Sequence, residues 1–307
     1  MSFARKATAL VAAAAMTLSL TACNRDSADE GAVTLALSTQ TNPFFVQLRD
    51  GAQEKADELG IALNVQDASD DAATQIDQLN NSITSGTDAV IVNPTDSDAV
   101  VPAVEALNNA DIPVIAVDRS SNGGDVASFI SSDNVAGGKQ AADELAKAIG
   151  EEGEVLVLQG IAGSSASRDR GQGFKEGIAN YPNIKVVGEQ TANFDRTEGL
   201  NVATNLLQAY PNVKAIFAEN DEMALGAIEA LGDRAGKDVM VIGFDGTTDG
   251  LKAVKDGRMH ATIAQQPGEL GARAVEEAAK LLRDEDATAV VPVDVVTVTK
   301  ENAGDFE

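Results

Sequence analysis

The chain has no tryptophan, one histidine and one cysteine among its 307 residues. A single cysteine cannot close an internal disulfide. Cys23 and His260 together fall short of a zinc finger or a His-rich metal centre. A Ser-His-Asp hydrolase would need His260 as its only base. Basic residues are scarce too: 23 Lys and Arg stand against 48 Asp and Glu, a formal charge of −25. Such a surface repels a phosphate backbone, which argues against binding of nucleic acid. Aromatics make up 4%, so any core must be packed mainly from aliphatic side chains. Phosphate and nucleophile motifs are missing as well. Gly138-Lys139 is followed by Gln140, with Asp133 where a P-loop needs its first glycine. Gly171-Gln172-Gly173 sits in a helical pattern without dinucleotide spacing, which suits helix packing better, and no Gly-x-Ser-x-Gly elbow occurs.

What is present begins with an export address. Arg5 and Lys6 precede an apolar run from Ala7 to Leu20, which is too short for a membrane span and has the proportions of a secretory signal. It ends in Leu20-Thr21-Ala22-Cys23, which resembles the bacterial lipobox, where the cysteine is acylated and becomes the new N-terminus. The expectation is a signal peptide over 1–22 and lipidation of Cys23. A polar, acidic tether would follow to Gly31, holding the protein at the outer face of the cell membrane or in the periplasm.

From Thr34 onward, strand and helix patterns alternate. Short apolar runs such as Ala89–Val92 (AVIV), Val114–Val117 (VIAV), Val155–Leu158 (VLVL) and Ala215–Ala218 (AIFA) read as buried parallel strands. Between them lie amphipathic segments, among them Pro43–Leu59, Ser97–Asn109, Asn134–Ile149, Ser167–Asn180 and Arg196–Ala209. Two successive runs of this kind predict two parallel-sheet α/β domains. No Pro- or Gly-rich linker parts them, so strand-like crossings should join them. Ligands of such sheets sit beyond the carboxyl ends of the strands.

The residues at those ends form a consistent set. They are Ser38, Asn42, Phe44 and Phe45, then Asp118 and Arg119, Arg168 and Arg170, and Phe194 and Asp195. Asn220 and Asp221, Asp245 and Gln265 complete it. Planar donors and acceptors beside phenylalanine suit a sugar, whose hydroxyls both donate and accept and whose C–H faces are apolar. Taken singly, each is as readily a helix cap or a surface ion pair.

These stretches resemble the periplasmic sugar-binding proteins of the ribose/galactose class. The resemblance rests on Asn42-Pro-Phe-Phe45, Asn93-Pro-Thr-Asp96, Asp118-Arg119, Ser132-Asp-Asn134, Arg170-Gly-x-Gly-Phe174 and Phe194-Asp-Arg196. Glu219-Asn-Asp-Glu-Met-Ala-Leu-Gly226, Val241-Ile-Gly-Phe-Asp-Gly246 and Ala261-Thr-Ile-Ala-Gln265 extend it, so that it spans residues 32–299. It implies the type I periplasmic binding fold, two Rossmann-like lobes with parallel sheets joined by a three-segment hinge. The lobes would be 32–132 with 266–294, and 133–265 with 295–307, the chain crossing near 131–134, 265–266 and 292–295. The ligand set it implies is Asn42, Phe44, Phe45, Asp118 and Arg119 from one lobe. Arg170, Phe194, Asn220, Asp245 and Gln265 come from the other, with Ser38 in the same cleft. D-ribose or a related monosaccharide, an ABC permease and the membrane through Cys23 are the implied partners of a monomer without metal, cofactor or catalytic residue. Allose, xylose or a furanosyl signal molecule is the alternative ligand. A repressor built on the same core would need an N-terminal helix-turn-helix where this chain has its signal. A glycosidase would need Asp118 and Asp245 as acid and base, and the expected donors around them would keep both ionised. Thr41 and Gln266 depart from the family pattern, and the lipobox replaces a simple export signal.

Overall fold

The computed structural model describes residues 31–306. Cys23 and the signal and tether expectations lie outside that range. Runs of residues buried on both faces make the inner strands. Ala32–Leu37 (β1), Ala62–Asp67 (β2), Ala89–Val92 (β3), Val114–Val117 (β4) and Ser128–Ser132 (β5) form one sheet with Val290–Val293 (β11). Glu152–Gln159 (β6), Asn183–Thr191 (β7), Ala215–Ala218 (β8), Met240–Asp245 (β9) and Ala261–Ala264 (β10) form the other with Val296–Thr299 (β12). The orders are β11-β5-β4-β3-β1-β2 and β12-β10-β9-β8-β6-β7, the same arrangement used twice. Every pairing is parallel except that of β12 with β10.

Helices Pro43–Leu59 (α1), Ala72–Ser82 (α2), Val101–Asn109 (α3) and Pro267–Leu282 (α9) cover the first sheet. Asn134–Ile149 (α4), Ser165–Ile178 (α5), Arg196–Ala209 (α6), Asp221–Leu231 (α7) and Thr248–Lys255 (α8) cover the second. Each lobe thus buries aliphatic side chains on both faces of its sheet. The chain passes between sheets three times, after β5, after β10 and between β11 and β12. The first and third passages lie side by side, where the Asp133 N–H donates to the Val293 carbonyl at 3.1 Å.

Two details depart from the sequence pattern. β5 carries no apolar run, because Ser128, Ser131 and Ser132 interrupt it. The helix expected from Ser97 begins at Val101, because the Asp96 carboxylate takes the N–H groups of Asp98 and Ala99 and holds that stretch in turns. His260 pairs with Glu144 at 2.9 Å within the second lobe, half-exposed. The Gly171–Gly173 stretch does serve packing. A Cβ on Gly173 would come within 2.1 Å of the Val135 carbonyl, and one on Gly138 within 2.2 Å of the Arg170 carbonyl. Only backbone fits between α4 and α5, and this seats Arg170 firmly.

Candidate functional site

In each sheet the order reverses beside its first strand, between β1 and β3 and between β6 and β8, so the loops there part and leave a crevice. The two crevices meet in one small cavity. Asn42, Phe44, Phe45, Asp118 and Arg119 line it from the first lobe; Ala166, Arg170, Phe194, Asn220, Asp245 and Gln265 complete it. Ten of the residues expected from sequence therefore meet there. Ser38 does not line it. Its hydroxyl donates to Asn93 Oδ1 at 2.7 Å, and Asn93 Nδ2 donates onward to Asp118 Oδ2 at 3.1 Å, so Ser38 stands behind the wall.

The capping reading and the lining reading turn out to be compatible. Asn42 caps α1 by accepting the Phe44 N–H at 2.9 Å, and Asn220 caps α7 by accepting the Met223 N–H at 2.9 Å. Each cap uses the side-chain oxygen and leaves amide hydrogens for other partners. Asp195 and Asp221 serve the fold alone. Asp195 caps α6, while the buried Asp221 accepts from Thr247 and Thr262. Arg168 reaches the Gly163 carbonyl and Asn122, away from the cavity lining.

Inside the cavity two carboxylates meet two guanidiniums. Arg170 Nη1 lies 3.3 Å from Asp245 Oδ1, and Arg119 Nε lies 3.6 Å from Asp118 Oδ2. All four are at most 5% exposed. Arg170 is held from behind, donating to Asn134 Oδ1 at 2.8 Å and to the Glu219 carbonyl at 2.7 Å. Gln265, on the second passage between lobes, donates to Asp245 Oδ1 at 2.7 Å. Asn93, Asn134 and Glu219 are the positioning residues that the sequence reading left out of the site. Each follows a strand directly or nearly so, the same signal that marked Asp118.

The aromatic rings are set against these cations. The Arg119 guanidinium carbon lies 5.2 Å from the Phe45 ring centre and 5.5 Å from that of Phe194. That of Arg170 lies 3.9 Å from the Phe244 ring. Contrary to the expectation that their donors keep both ionised, burial pushes the Asp118 carboxyl above the usual range, with Arg119 opposing, and pushes Asp245 up to about 8, with Arg170 opposing. Asp118, Phe194 and Asp245 have φ of 65°, 61° and 117°. Such backbone costs on the order of 1–3 kcal/mol per residue and clusters at functional sites. Asp118 Oδ1 and Gln265 Oε1 are buried without a hydrogen-bond partner among the described residues. Buried polar atoms in folded proteins nearly always find a partner, so here they are open to a ligand hydroxyl or to water. No cluster of potential metal ligands occurs among the described residues.

Two α/β lobes of one design meeting on an aromatic-walled cavity of paired carboxyls and guanidiniums define a bilobal solute-binding protein. The chain belongs to the periplasmic binding protein domain family, whose model matches residues 33–286. It is 50% identical over 299 residues to the ribose import binding protein RbsB of Salmonella typhimurium, covering 97% of this chain and 99% of that one. It is 44% identical over 259 residues to its counterpart in Bacillus subtilis, 84% of each chain. Among solved structures, an ABC transporter solute-binding protein of Actinobacillus succinogenes with bound D-allose superposes with a TM-score of 0.84 at 36% identity. That match covers 90% of this chain and 99% of the other.

Proposed function

We propose that this protein captures D-ribose between its lobes and delivers it to an ABC importer, with no chemistry on the sugar. The observation that carries the reading is the balance inside the cavity. Two buried carboxyls stand beside two buried guanidiniums, so acceptors and donors face the cavity together, and the hydroxyls of a neutral polyol, which both donate and accept, can meet both kinds. The hydroxyls of the sugar can supply donors to Asp118 Oδ1 and Gln265 Oε1, and its C–H faces can lie on Phe45 and Phe194. The similarity to ribose import binding proteins supports ribose over other sugars. In this reading Asn42, Phe44, Phe45, Asp118, Arg119, Arg170, Phe194, Asn220, Asp245 and Gln265 contact the ligand.

The same reading takes 32–132 with 266–294 and 133–265 with 295–307 as the two moving bodies of a monomer. Cys23 anchors it to the outer face of the membrane. A thermal-shift panel tests the ligand. Ribose at 100 times its dissociation constant should add about 2.7 kcal/mol of stability and raise the midpoint more than equal concentrations of allose, xylose, arabinose or galactose. No shift with ribose would overturn the assignment. Incubation with a methyl riboside should release no methanol.

A further inference from the structure

Beside the cavity, but outside its lining, the lobes touch directly. The Ser97 N–H, after β3, donates to the Gly163 carbonyl at 3.0 Å. The Ser120 N–H, after β4, donates to Ser165 Oγ at 2.8 Å. Gly163 precedes α5 and Ser165 opens it, so both acceptors belong to the lobe that carries Arg170. The fit is tight: a Cβ on Gly163 would stand 1.8 Å from Asp96 Oδ2. No residue of this contact lines the cavity.

The contact also carries a cost. Ser97 Oγ and Ser164 Oγ are buried there without hydrogen-bond partners among the described residues. When the lobes part, water can reach both hydroxyls. Closure therefore trades the hydration of these polar groups for one backbone–backbone hydrogen bond, one from backbone to the Ser165 hydroxyl and the Arg168–Asn122 pair, a near-balanced exchange. A near-balanced contact leaves the closing equilibrium for a ligand to tip.

We propose that Ser97, Ser120, Gly163 and Ser165 form a sugar-independent latch that sets the closing equilibrium, and through it the affinity for every ligand of the cavity alike. This rests on the reading that the lobes close on a sugar. Gly163 and Ser165 are positioning residues: they touch no ligand and change affinity without changing preference. The apparent dissociation constant scales inversely with the fraction of protein able to close, so an obstructed latch raises it by one factor for all sugars.

The test uses the full chain in a Cys23→Ser background. Spin labels are placed at Glu54→Cys on α1 and Asn205→Cys on α6, both exposed, to report the distance between lobes. Gly163→Ala should weaken ribose and a second bound pentose by the same factor, about tenfold or more. Its label distance should lengthen, and its sugar-free melting midpoint should stay at the wild-type value. Ser165→Ala should act in the same direction and less strongly. Asp96→Ser keeps a capping oxygen and withdraws the obstructing carboxylate, so adding it to Gly163→Ala should restore affinity. Wild-type affinity for Gly163→Ala would overturn the latch, as would loss confined to one sugar, or a lowered melting midpoint without rescue by Asp96→Ser. If the wild type binds no ribose, the ribose reading falls, and the sugar-free label distances decide the latch. Lengthening in Gly163→Ala upholds it and an unchanged distance overturns it.

Discussion

Asn93 donates its side-chain amide to Asp118 Oδ2 at 3.1 Å, and the other oxygen of that carboxylate is buried without a partner among the described residues. One oxygen is thus committed to the fold and one is left to the cavity. An Asp118→Asn side chain has to keep its oxygen toward Asn93, since two amide groups would otherwise face each other donor to donor. The new amide then turns into the cavity and replaces an acceptor by a donor. A charge-assisted hydrogen bond contributes about 1.5–3 kcal/mol, so ribose affinity should fall at least about tenfold. Calorimetric titration measures this. Affinity equal to wild type would remove Asp118 from the ligand set.

Phe194 presses its ring on the backbone of Gly160, where an added Cβ would lie 2.1 Å from the ring. Truncation to alanine removes that wall, while tyrosine keeps it. Phe194→Ala should weaken ribose by about tenfold or more, and Phe194→Tyr should weaken it less. Equal affinities for the two variants would return Phe194 to a packing role.

Asp245 gives a pH dependence whose sign can be worked out. Burial, with Asp221 and Asp118 adding to it and Arg170 and Gln265 opposing, raises its carboxyl to about 8. A sugar hydroxyl donating to Asp245 would favour the ionised form and lower the pKa in the complex. Binding then releases a proton, and affinity declines as pH falls below about 8 toward the lower value of the complex. Titrations at several pH values, repeated in buffers of different ionisation enthalpy, would show the decline and the released proton. A flat profile in wild type, or an equal slope in Asp245→Asn, would contradict it.

The anchor has its own test. Cys23→Ser should leave ribose affinity unchanged and move the exported protein from the detergent to the aqueous phase of a Triton X-114 partition. Equal recovery in detergent would show that membrane attachment does not run through Cys23.

Much of the architecture was legible because buried strands advertise themselves. AVIV and VIAV are apolar throughout, since both of their faces are covered, and their bounds could be read off directly. β5 could not be. Its serines are stabilised by the fold at large, Ser128 Oγ donating to the carbonyl of Thr288 far along the chain. The cavity wall was legible for a topological reason: strand ends converge at the reversal of strand order, whatever residues occupy them. Asn93 and Ser38 show where that reasoning fails. Asn93 sits at a strand end like Asp118, yet its side chain is spent on Ser38, the Val117 carbonyl and Asp118. Which strand-end group faces a ligand and which holds its neighbour depends on side-chain direction, and spacing alone does not encode it.

The threefold passage between sheets also orders the birth of the molecule. The first lobe receives its covering helix α9 and its edge strand β11 only from residues 267–293, after β6 to β10 of the second lobe have been made. On a ribosome, the second sheet lacks only β12 at a stage when the first still exposes the face that Leu270, Ala274, Val275 and Ala278 will bury. The lobe synthesised first is thus the one completed late, and its uncovered apolar face is the hazard of the nascent chain.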